Sequence, residues 1–287
     1  MRTLPTLTLM VLAAVAPACA ADADLFTYDH TAPLESHEVG REMRGTATLH
    51  DITFVGTKDP IKAYLVTPAA PGPHPAILYV HWLGEPATTN RTEFLDEAVA
   101  FAQRGVVSLL IDTMWAKPKW YGTRVPEDDY AASVNQVIEI RRALDLLLAQ
   151  PGVDAQRVAY VGHDFGAMYG MLAGGADRRA KTYVFMAGVP HFIDWALFAH
   201  KPKDLEGYKA QIAPLDPVNF LPRLAPAPVF FQFGNKDEYV SATQSAESYA
   251  AAGARKQMTT YAAGHDLHTA EVAADRVAWL ERELGIK

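Results

Sequence analysis

The stretch that decides the fold is Ala159-Tyr-Val-Gly-His-Asp-Phe-Gly-Ala-Met-Tyr-Gly170. The apolar run Arg157–Val161 predicts a buried strand, and the residues after Gly166 predict a helix. Between the two, Gly162 and Gly166 let the backbone turn sharply without a Cβ clash. The sequence therefore predicts a strand-turn-helix unit that projects the side chain of Asp164 from the edge of a sheet, at the N-terminus of a helix.

A turn of the form Gly-x-nucleophile-x-Gly is a known catalytic arrangement, in which serine is the usual middle residue. An aspartate is ionised at neutral pH and needs no base before it attacks, so Asp164 predicts chemistry that differs from that of a serine nucleophile. The same glycine spacing also occurs as a plain packing turn in α/β proteins. Features elsewhere in the chain favour the catalytic interpretation.

Composition is that of one globular domain of enzyme size. The chain has 287 residues, of which 49% are hydrophobic and 21% are charged. Its net charge of −7 and its pI near 5.8 argue against nucleic acid or an anionic membrane as a partner.

The first 20 residues predict a secretory signal peptide that is separate from the fold. Arg2 precedes the apolar run Leu9–Ala16, which is too short to span a bilayer, and Ala18-Cys-Ala20 matches a cleavage pattern. Cys19, the single cysteine, could instead carry a lipid, although the residues before it are a poor lipidation motif. Cleavage after about Ala20 gives a periplasmic or secreted protein without cysteine, which excludes disulfides, thiolate catalysis and cysteine metal sites.

Strands alternate with helices along the rest of the chain. The predicted strands are Thr46–Val55, Ile61–Thr67, Ala76–Val80, Val106–Asp112, Tyr183–Met186, Val229–Phe233 and Gln257–Tyr261. The predicted helices are Thr92–Gln103, Asp128–Gln150, Ser241–Ala251 and His268–Leu284. The first two strands suit an antiparallel pair. The alternation predicts an α/β fold, with a mainly parallel sheet and helices on both faces, over residues 46–287, after an N-terminal arm over residues 21–45.

Residues 188–226 interrupt this alternation. They contain several aromatic residues and end in a proline-rich run. Their length and aromatic content favour a short lid-like insertion that lines a substrate site, although an ordinary surface loop would also fit.

Two further polar residues follow predicted strands. Asp237 comes just after the strand that ends near Gly234, and His265 follows the next strand. Ligands of open α/β sheets bind at the carboxyl ends of strands, where Asp237 can orient His265 by accepting its Nδ1–H. The alternative for Asp237 is a helix cap.

A metal site at His265, Asp266 and His268 would need a fourth ligand that the sequence does not supply, so neither metal nor cofactor is expected.

The loop after the strand Ala76–Val80 is expected to help bind a developing oxyanion. In catalytic turns of this kind, one backbone N–H comes from such a loop and the other from the residue after the nucleophile. Here these are Trp82 and Phe165, although Trp82 could equally be a core residue at a strand end. Candidate substrate contacts are His81, Trp115 and Trp195.

With these motifs the chain resembles the α/β-hydrolase superfamily, and within it the dienelactone-hydrolase-like branch, over about residues 45 to 285. The most specific stretch is Arg141–Ala167, where that branch usually has serine at position 164, and Asp216–Arg223 is also similar. The resemblance implies hydrolysis of small esters, lactones or related acyl compounds. It also implies that position 164 is the nucleophile, Asp237 the acid and His265 the base.

Position 164 itself departs from that branch. A Gly-His-Asp-x-Gly turn resembles epoxide hydrolases and haloalkane dehalogenases, which attack an sp³ carbon and then hydrolyse the alkyl-Asp ester with water activated by histidine. Carboxylate attack on an ordinary ester is unfavourable, because the leaving alkoxide is more basic by about ten pK units, a gap that an enol or phenol narrows. However, Phe165 stands where many dehalogenases have a halide-binding Trp, and residues 188–226 are fewer than in a usual cap domain.

The sequence therefore predicts an exported hydrolase of a small, activated ester or lactone, with Asp164, Asp237 and His265 as its triad. Epoxide or halide hydrolysis by the same residues is the alternative. A pair of phenols or a halide-binding Trp opposite Asp164 would favour it, and the candidates are Trp115, Trp120, Tyr121, Trp195 and Tyr208. A ligand-binding pseudoenzyme is the third hypothesis, against which the presence of Asp237 and His265 speaks. The expected partner is a small molecule, and the oligomeric state stays open.

Overall fold

The computed structural model describes residues 23–85, 90–198 and 201–287. The predicted signal peptide, residues 1–20, lies outside these ranges. Every helix within them is too short or too polar to span a membrane.

The described strands form one nine-stranded sheet. In chain order they are β1 (His37–Arg44), β2 (Ala47–Val55), β3 (Pro60–Thr67), β4 (His74–Val80), β5 (Val107–Ile111), β6 (Val153–His163), β7 (Thr182–Met186), β8 (Val229–Gly234) and β9 (Lys256–Tyr261). Their order in the sheet is β1-β2-β3-β5-β4-β6-β7-β8-β9. The pairs that involve β1, β2 or β3 are antiparallel, and all others are parallel.

Helices lie between the parallel strands along the chain and after the last of them. They are α1 (Leu95–Ala102), α2 (Trp120–Thr123), α3 (Asp129–Leu148), α4 (Phe165–Ala176), α5 (Ile193–Ala196), α6 (Leu205–Ile212), α7 (Ala242–Ala251) and α8 (Ala270–Leu284). Every residue of β4, β5, β7 and β8 is buried, so both faces of the sheet centre are covered. The predicted α/β architecture with a mainly parallel sheet is confirmed.

Part of the predicted N-terminal arm belongs to the sheet, because β1 pairs with β2. Seven of its eight residues are exposed, and Val39 and Met43 are among the most exposed apolar side chains. The strand has no buried face, so its side chains give no alternating apolar signal, and backbone hydrogen bonds to β2 define it.

The predicted helix ends shift by a few residues. The final helix begins at Ala270 rather than His268, because Thr269 is its N-cap and its hydroxyl accepts from the Val272 N–H at 3.3 Å. The first begins at Leu95 rather than Thr92.

The segment between β7 and β8 contains α5, α6 and three short 3₁₀ turns, Ala213–Leu215, Pro217–Asn219 and Leu221–Leu224. Two ties hold it to the domain. The Tyr208 hydroxyl donates to Asp129 Oδ2 on α3 at 2.6 Å. His191 lies between Asp216 and Glu247, with each of its ring nitrogens 2.9 Å from a carboxylate oxygen. The described part of the segment thus packs near the carboxyl ends of the strands, and its role as a lid stays a prediction.

Candidate active site

Asp164 lies in the turn between β6 and α4, where the sequence predicts it. Its backbone has φ 52° and ψ −113°, and a residue with a Cβ adopts such a conformation only at a cost of about 1–3 kcal/mol. The Asp164 N–H donates to the Met186 carbonyl at 2.7 Å, and the Met168 N–H donates to the Asp164 carbonyl at 2.9 Å. These bonds keep a buried carboxyl group in a strained position, which is typical of a functional site.

Close packing explains the two glycines of the turn. A Cβ on Gly162 would lie 2.3 Å from the Gly166 carbonyl oxygen, and a Cβ on Gly166 would lie 2.2 Å from the Val80 carbonyl oxygen. The start of α4 therefore packs directly on the end of β4, which brings the loop after β4 to the Asp164 side chain.

The structure brings Asp164, His265 and Asp237 together. His265 Nδ1 donates to Asp237 Oδ2 at 2.8 Å, and His265 Nε2 lies 3.6 Å from Asp164 Oδ1. The Asp237 side chain is fully buried, and its Oδ1 accepts from the N–H groups of Tyr239 and Val240. Asp237 thus orients His265, and the next helix has a different residue as its cap.

His268 and Asp266 lie nearby but stay outside this group. His268 Nδ1 and Asp266 Oδ2 are 4.0 Å apart, and both side chains are more than half exposed. Within the described ranges, no group of three or more His, Cys, Asp or Glu side chains is arranged to hold a metal ion.

Electrostatic interactions in the site favour a protonated His265. Burial of the ring lowers its pKa, but the contacts with Asp164 and Asp237 raise it by more, so that the pKa reaches about 9 against an ordinary 6.5. Burial raises the pKa of Asp237, and the hydrogen bond and charge of His265 outweigh this and hold it below its usual value. At neutral pH, the site therefore holds an imidazolium between two aspartates.

The Leu83 N–H, rather than the Trp82 N–H, reaches the Asp164 carboxylate. Leu83 N donates to Asp164 Oδ2 at 3.0 Å, whereas Trp82 N donates to Glu93 Oε2 at 2.8 Å. The expectation that Trp82 supplies an oxyanion donor is corrected accordingly, because its N–H is already bound to a carboxylate. Phe165, the other predicted donor, begins α4, so its N–H has no acceptor within the helix.

Glu93 and His163 support the site, although the sequence assigned them no role. His163 Nδ1 contacts Glu93 Oε1 at 2.6 Å, and His163 Nε2 donates to the His265 carbonyl oxygen at 2.9 Å. Both side chains are buried, and the His163 ring stacks on the Trp82 indole with centroids 5.2 Å apart. No local pattern links the two residues, because they are 70 positions apart.

His81 and Trp115, two of the three predicted substrate contacts, are each only 1% exposed. Trp115 Nε1 donates to the His81 carbonyl oxygen at 3.1 Å, and His81 Nε2 lies 2.9 Å from the Thr113 hydroxyl. These polar groups are engaged with protein atoms, so both residues support the wall of the site. This differs from the direct substrate contact that was expected of them.

Trp195, the third predicted contact, lies against His265 and Phe165. Its ring centroid is 5.6 Å from that of His265 and 5.6 Å from that of Phe165. Its buried Nε1 has no acceptor among the described residues. Trp195 also lines a cavity of about 20 Å³, which has room for about one water molecule. Its other lining residues include Trp120, Arg124, Phe165, Tyr169 and Tyr208.

The sequence suggests five aromatic side chains as candidates for contact with a leaving group, and the polar groups of most of them bind other protein atoms. Tyr208 donates to Asp129, and the Tyr121 hydroxyl donates to the Trp195 carbonyl oxygen. Trp195 therefore remains the candidate with a buried N–H and no acceptor in the described part of the chain.

No family model matches the chain. Among curated proteins, it is similar to the polyketide transferase ATR5 of Stachybotrys chlorohalonatus (strain IBT 40285), with 32% identity over 98 residues. The matched segment is 34% of this chain and 32% of the relative, so it spans about a third of the length of that protein.

Solved structures resemble far more of the chain. An acetyl xylan esterase from Paenibacillus sp. R4 has a TM-score of 0.74 at 19% identity, over 88% of this chain and 90% of that one. Acetyl xylan esterase 1 from Thermoanaerobacterium sp. JW/SL YS485 has a TM-score of 0.72 at 16% identity, over 88% of each chain. A protein assigned to the dienelactone hydrolases, from Klebsiella pneumoniae subsp. pneumoniae MGH 78578, has a TM-score of 0.59 at 17% identity, over 80% of this chain and 95% of that one. These likenesses establish the predicted α/β-hydrolase fold.

Proposed function

We propose that this protein is a hydrolase of a small organic substrate, with Asp164 as covalent nucleophile and His265, oriented by Asp237, as the group that transfers protons. One observation carries the proposal, namely the buried alignment of the three side chains. His265 donates to Asp237 at 2.8 Å and faces Asp164 Oδ1 at 3.6 Å. A carboxylate, an imidazole and an orienting carboxylate in this order suit nucleophilic catalysis followed by hydrolysis of the intermediate.

In the first step, Asp164 Oδ1 forms a bond to the electrophilic carbon of the substrate, and the bond from that carbon to the leaving oxygen breaks. The imidazolium of His265 gives its Nε2 proton to that oxygen. The pKa of about 9 supports this role, because His265 carries the proton at neutral pH.

In the second step, His265 acts as a base. Formation of the covalent intermediate, an anhydride from an ester substrate or an ester from an epoxide, removes the charge of Asp164. That charge is one of the causes that raise the pKa of His265, so the imidazole becomes able to accept a proton from water. The resulting hydroxide adds to the Asp164 carbonyl carbon, the substrate group leaves with a proton, and Asp164 returns as a carboxylate beside imidazolium. The protons balance over the cycle without an external acid or base.

This proton count favours an oxygen leaving group. A small ester or lactone with an acidic enol or phenol fits, because such a group narrows the unfavourable difference in basicity from a carboxylate. A halide leaves without a proton, so His265 would have to lose its proton to solvent before the second step.

A specific contact favours epoxides as the second candidate substrates. Leu83 N–H donates to Asp164 Oδ2, so this donor is not available to the carbonyl oxygen of an ester substrate in the first step. Attack at an sp³ carbon forms no carbonyl oxyanion in the first step, so it needs no N–H donor at that stage. In the second step, the same N–H would stabilise the oxyanion that forms on Oδ2 of the Asp164 ester.

Substrate entry requires movement in either case. The side chain of Asp164 is 1% exposed and that of His265 is 7% exposed, and the adjoining cavity has room for about one water molecule. We propose that the α5 segment with Trp195 moves aside, as a lid.

Single-turnover hydrolysis in H₂¹⁸O tests the proposal, with p-nitrophenyl acetate and styrene oxide as probes. A single turnover should place ¹⁸O in the peptide that carries Asp164, because water attacks the Asp164 carbonyl carbon. With styrene oxide, whose alkyl-Asp ester has only the Asp164 carbonyl carbon for water to attack, label in the product alone would contradict covalent attack by Asp164 and favour a water-activating role. Binding of both probes without turnover would support a pseudoenzyme.

We further propose that the protein acts after export, on the sequence pattern of residues 1–20 alone. N-terminal sequencing should find a start near Ala21, and a cytoplasmic product that retains Met1 would contradict export.

A further inference from the structure

The carboxylate of Glu93 joins two parts of the site without touching a reacting atom. Glu93 lies in the turn before α1, and its side chain is 4% exposed. Its Oε2 accepts from the Trp82 N–H at 2.8 Å, and its Oε1 lies 2.6 Å from Nδ1 of His163. It therefore connects the loop after β4 to the residue that precedes the nucleophile.

Each contact leads onward to a group that the proposed reaction uses. Trp82 is followed by Leu83, whose N–H reaches Asp164 Oδ2 at 3.0 Å. His163 donates to the carbonyl oxygen of His265 at 2.9 Å. The ring of His163 is fully buried against the Trp82 indole, so the two branches also pack on each other.

We propose that Glu93 is a positioning residue that sets the Leu83 N–H, through Trp82, and His265, through His163, relative to Asp164. Its kinetic consequences rest on the proposed function. Displacement of a catalytic group by about 1 Å can lower a rate by about 100-fold, so a single carboxylate that fixes both groups has a large expected effect on turnover and little on substrate binding.

Three variants separate the two branches. Glu93→Gln keeps the size but can serve only one branch as an acceptor. His163→Asn places an amide near the position of Nδ1, which keeps the Glu93 contact and loses the bond to His265. His163→Gln places its amide near the position of Nε2, which keeps the bond to His265 and loses the Glu93 contact.

The probe is p-nitrophenyl acetate, whose burst of p-nitrophenolate reports formation of the intermediate and whose steady state reports its breakdown. His163→Asn should slow breakdown about 10- to 100-fold and leave the burst within threefold, because this acidic phenol leaves without help from His265. Glu93→Gln should also slow breakdown, since its amide leaves either the Leu83 loop or His163 without its contact. His163→Gln should lie closer to wild type in breakdown than His163→Asn. The substrate dissociation constant, obtained from the concentration dependence of the burst rate, should change less than threefold in all three variants.

Glu97→Gln is the matched control. Glu97 is a partly buried carboxylate of this region, on α1, but it binds Arg276 at 2.6 Å instead of the site. Its loss should lower the temperature of unfolding and leave both kinetic steps within threefold. A rate loss in Glu97→Gln as large as in Glu93→Gln would mean that general destabilisation explains both.

The pKa of His265, measured by NMR of its ring nitrogens, gives a readout that needs no substrate. His163→Asn should lower that pKa, because the ring is held less firmly against Asp164 and Asp237. If Glu93→Gln and His163→Asn leave both the pKa and the rates unchanged, Glu93 has only a structural role. If wild type releases no p-nitrophenolate, the ester form of the proposed function fails, and the pKa still decides the role of Glu93.

Discussion

Oδ1 of Asp164 and Nε2 of His265 lie 3.6 Å apart, and neither atom has a hydrogen-bond partner among the described residues. The other oxygen of the carboxylate, Oδ2, is held by the Leu83 N–H. The two atoms left without partners are therefore the ones that the proposed reaction uses, one to attack carbon and one to transfer a proton. Since both atoms are buried, their charges interact strongly.

Replacing Asp164 with Asn should lower the pKa of His265, because it removes one of the two carboxylates that raise it. Wild type should titrate near pH 9, and NMR of the His265 ring nitrogens measures the shift. Asp216→Asn is the control, because Asp216 raises the pKa of His191 instead. A His265 pKa that is the same in wild type and Asp164→Asn would contradict the assigned contact.

Stability should fall as the pH rises from about 6.5 to about 9, the pKa values of His265 in the unfolded and folded states. The folded pKa is the higher one, so the stabilisation is complete below the lower value and is lost through the upper one. The shift corresponds to at most about 3 kcal/mol. Urea unfolding at pH 6 and pH 9.5 measures the change in the free energy of unfolding, which should be smaller in His265→Gln than in wild type. An equal decrease in both proteins would mean that groups other than His265 cause it.

The sequence was sufficient to predict the strands and turns whose residues show a pattern of apolar side chains or glycines. The buried strands around the Asp164 turn follow from apolar runs and glycine punctuation, and Asp237 and His265 follow from their places at strand ends. Contacts between distant residues were not predictable. Leu83 and Trp82 are neighbours in one loop, so a shift of a single residue decides which backbone N–H reaches Asp164. Glu93 decides it by binding the Trp82 N–H, and no local sequence pattern connects Glu93 to the site.

Replacing His265 with Ala should trap an intermediate on Asp164. The carboxylate can still attack a reactive substrate, whereas hydrolysis of the resulting intermediate, an ester from styrene oxide or an anhydride from p-nitrophenyl acetate, needs a base. Intact-mass analysis after exposure to p-nitrophenyl acetate or styrene oxide should show a stoichiometric adduct, and the Asp164→Asn,His265→Ala double variant should show none. An inactive His265→Ala protein without adduct, beside an active wild type, would favour direct attack by water.

Replacing Leu83 with Pro should slow turnover about 100- to 1,000-fold, because it removes the N–H that stabilises negative charge on Oδ2 of Asp164. Leu83→Ala keeps the N–H and is the control for loss of the side chain. The ratio of kcat between the two variants isolates the backbone donor, and circular dichroism checks that both fold. Equal kcat values would show that this N–H has no catalytic role.

Replacing Asp164 with Ser tests whether only the nucleophile separates this site from that of a serine acyl hydrolase. The serine would face His265, which Asp237 already orients, and it would free the Leu83 N–H to bind the carbonyl oxygen of an ester. We expect the variant to gain activity on aryl esters such as p-nitrophenyl acetate, to lose activity on styrene oxide, and to become reactive towards fluorophosphonate probes, to which wild type should be inert at this position.

The gain from Asp164→Ser should be modest, for a geometric reason. A serine Oγ is bonded directly to Cβ, whereas Asp164 Oδ1 is one bond further out and still lies 3.6 Å from His265 Nε2. The hydroxyl therefore starts further from its base than a serine nucleophile requires, and catalysis falls steeply with such misplacement. Asp164→Asn keeps the shape and removes the charge, so it should be inactive on every probe. A Ser variant with the wild-type rate on styrene oxide would show that Asp164 is not the covalent nucleophile, and a fully active Asn variant would overturn the catalytic role of the turn.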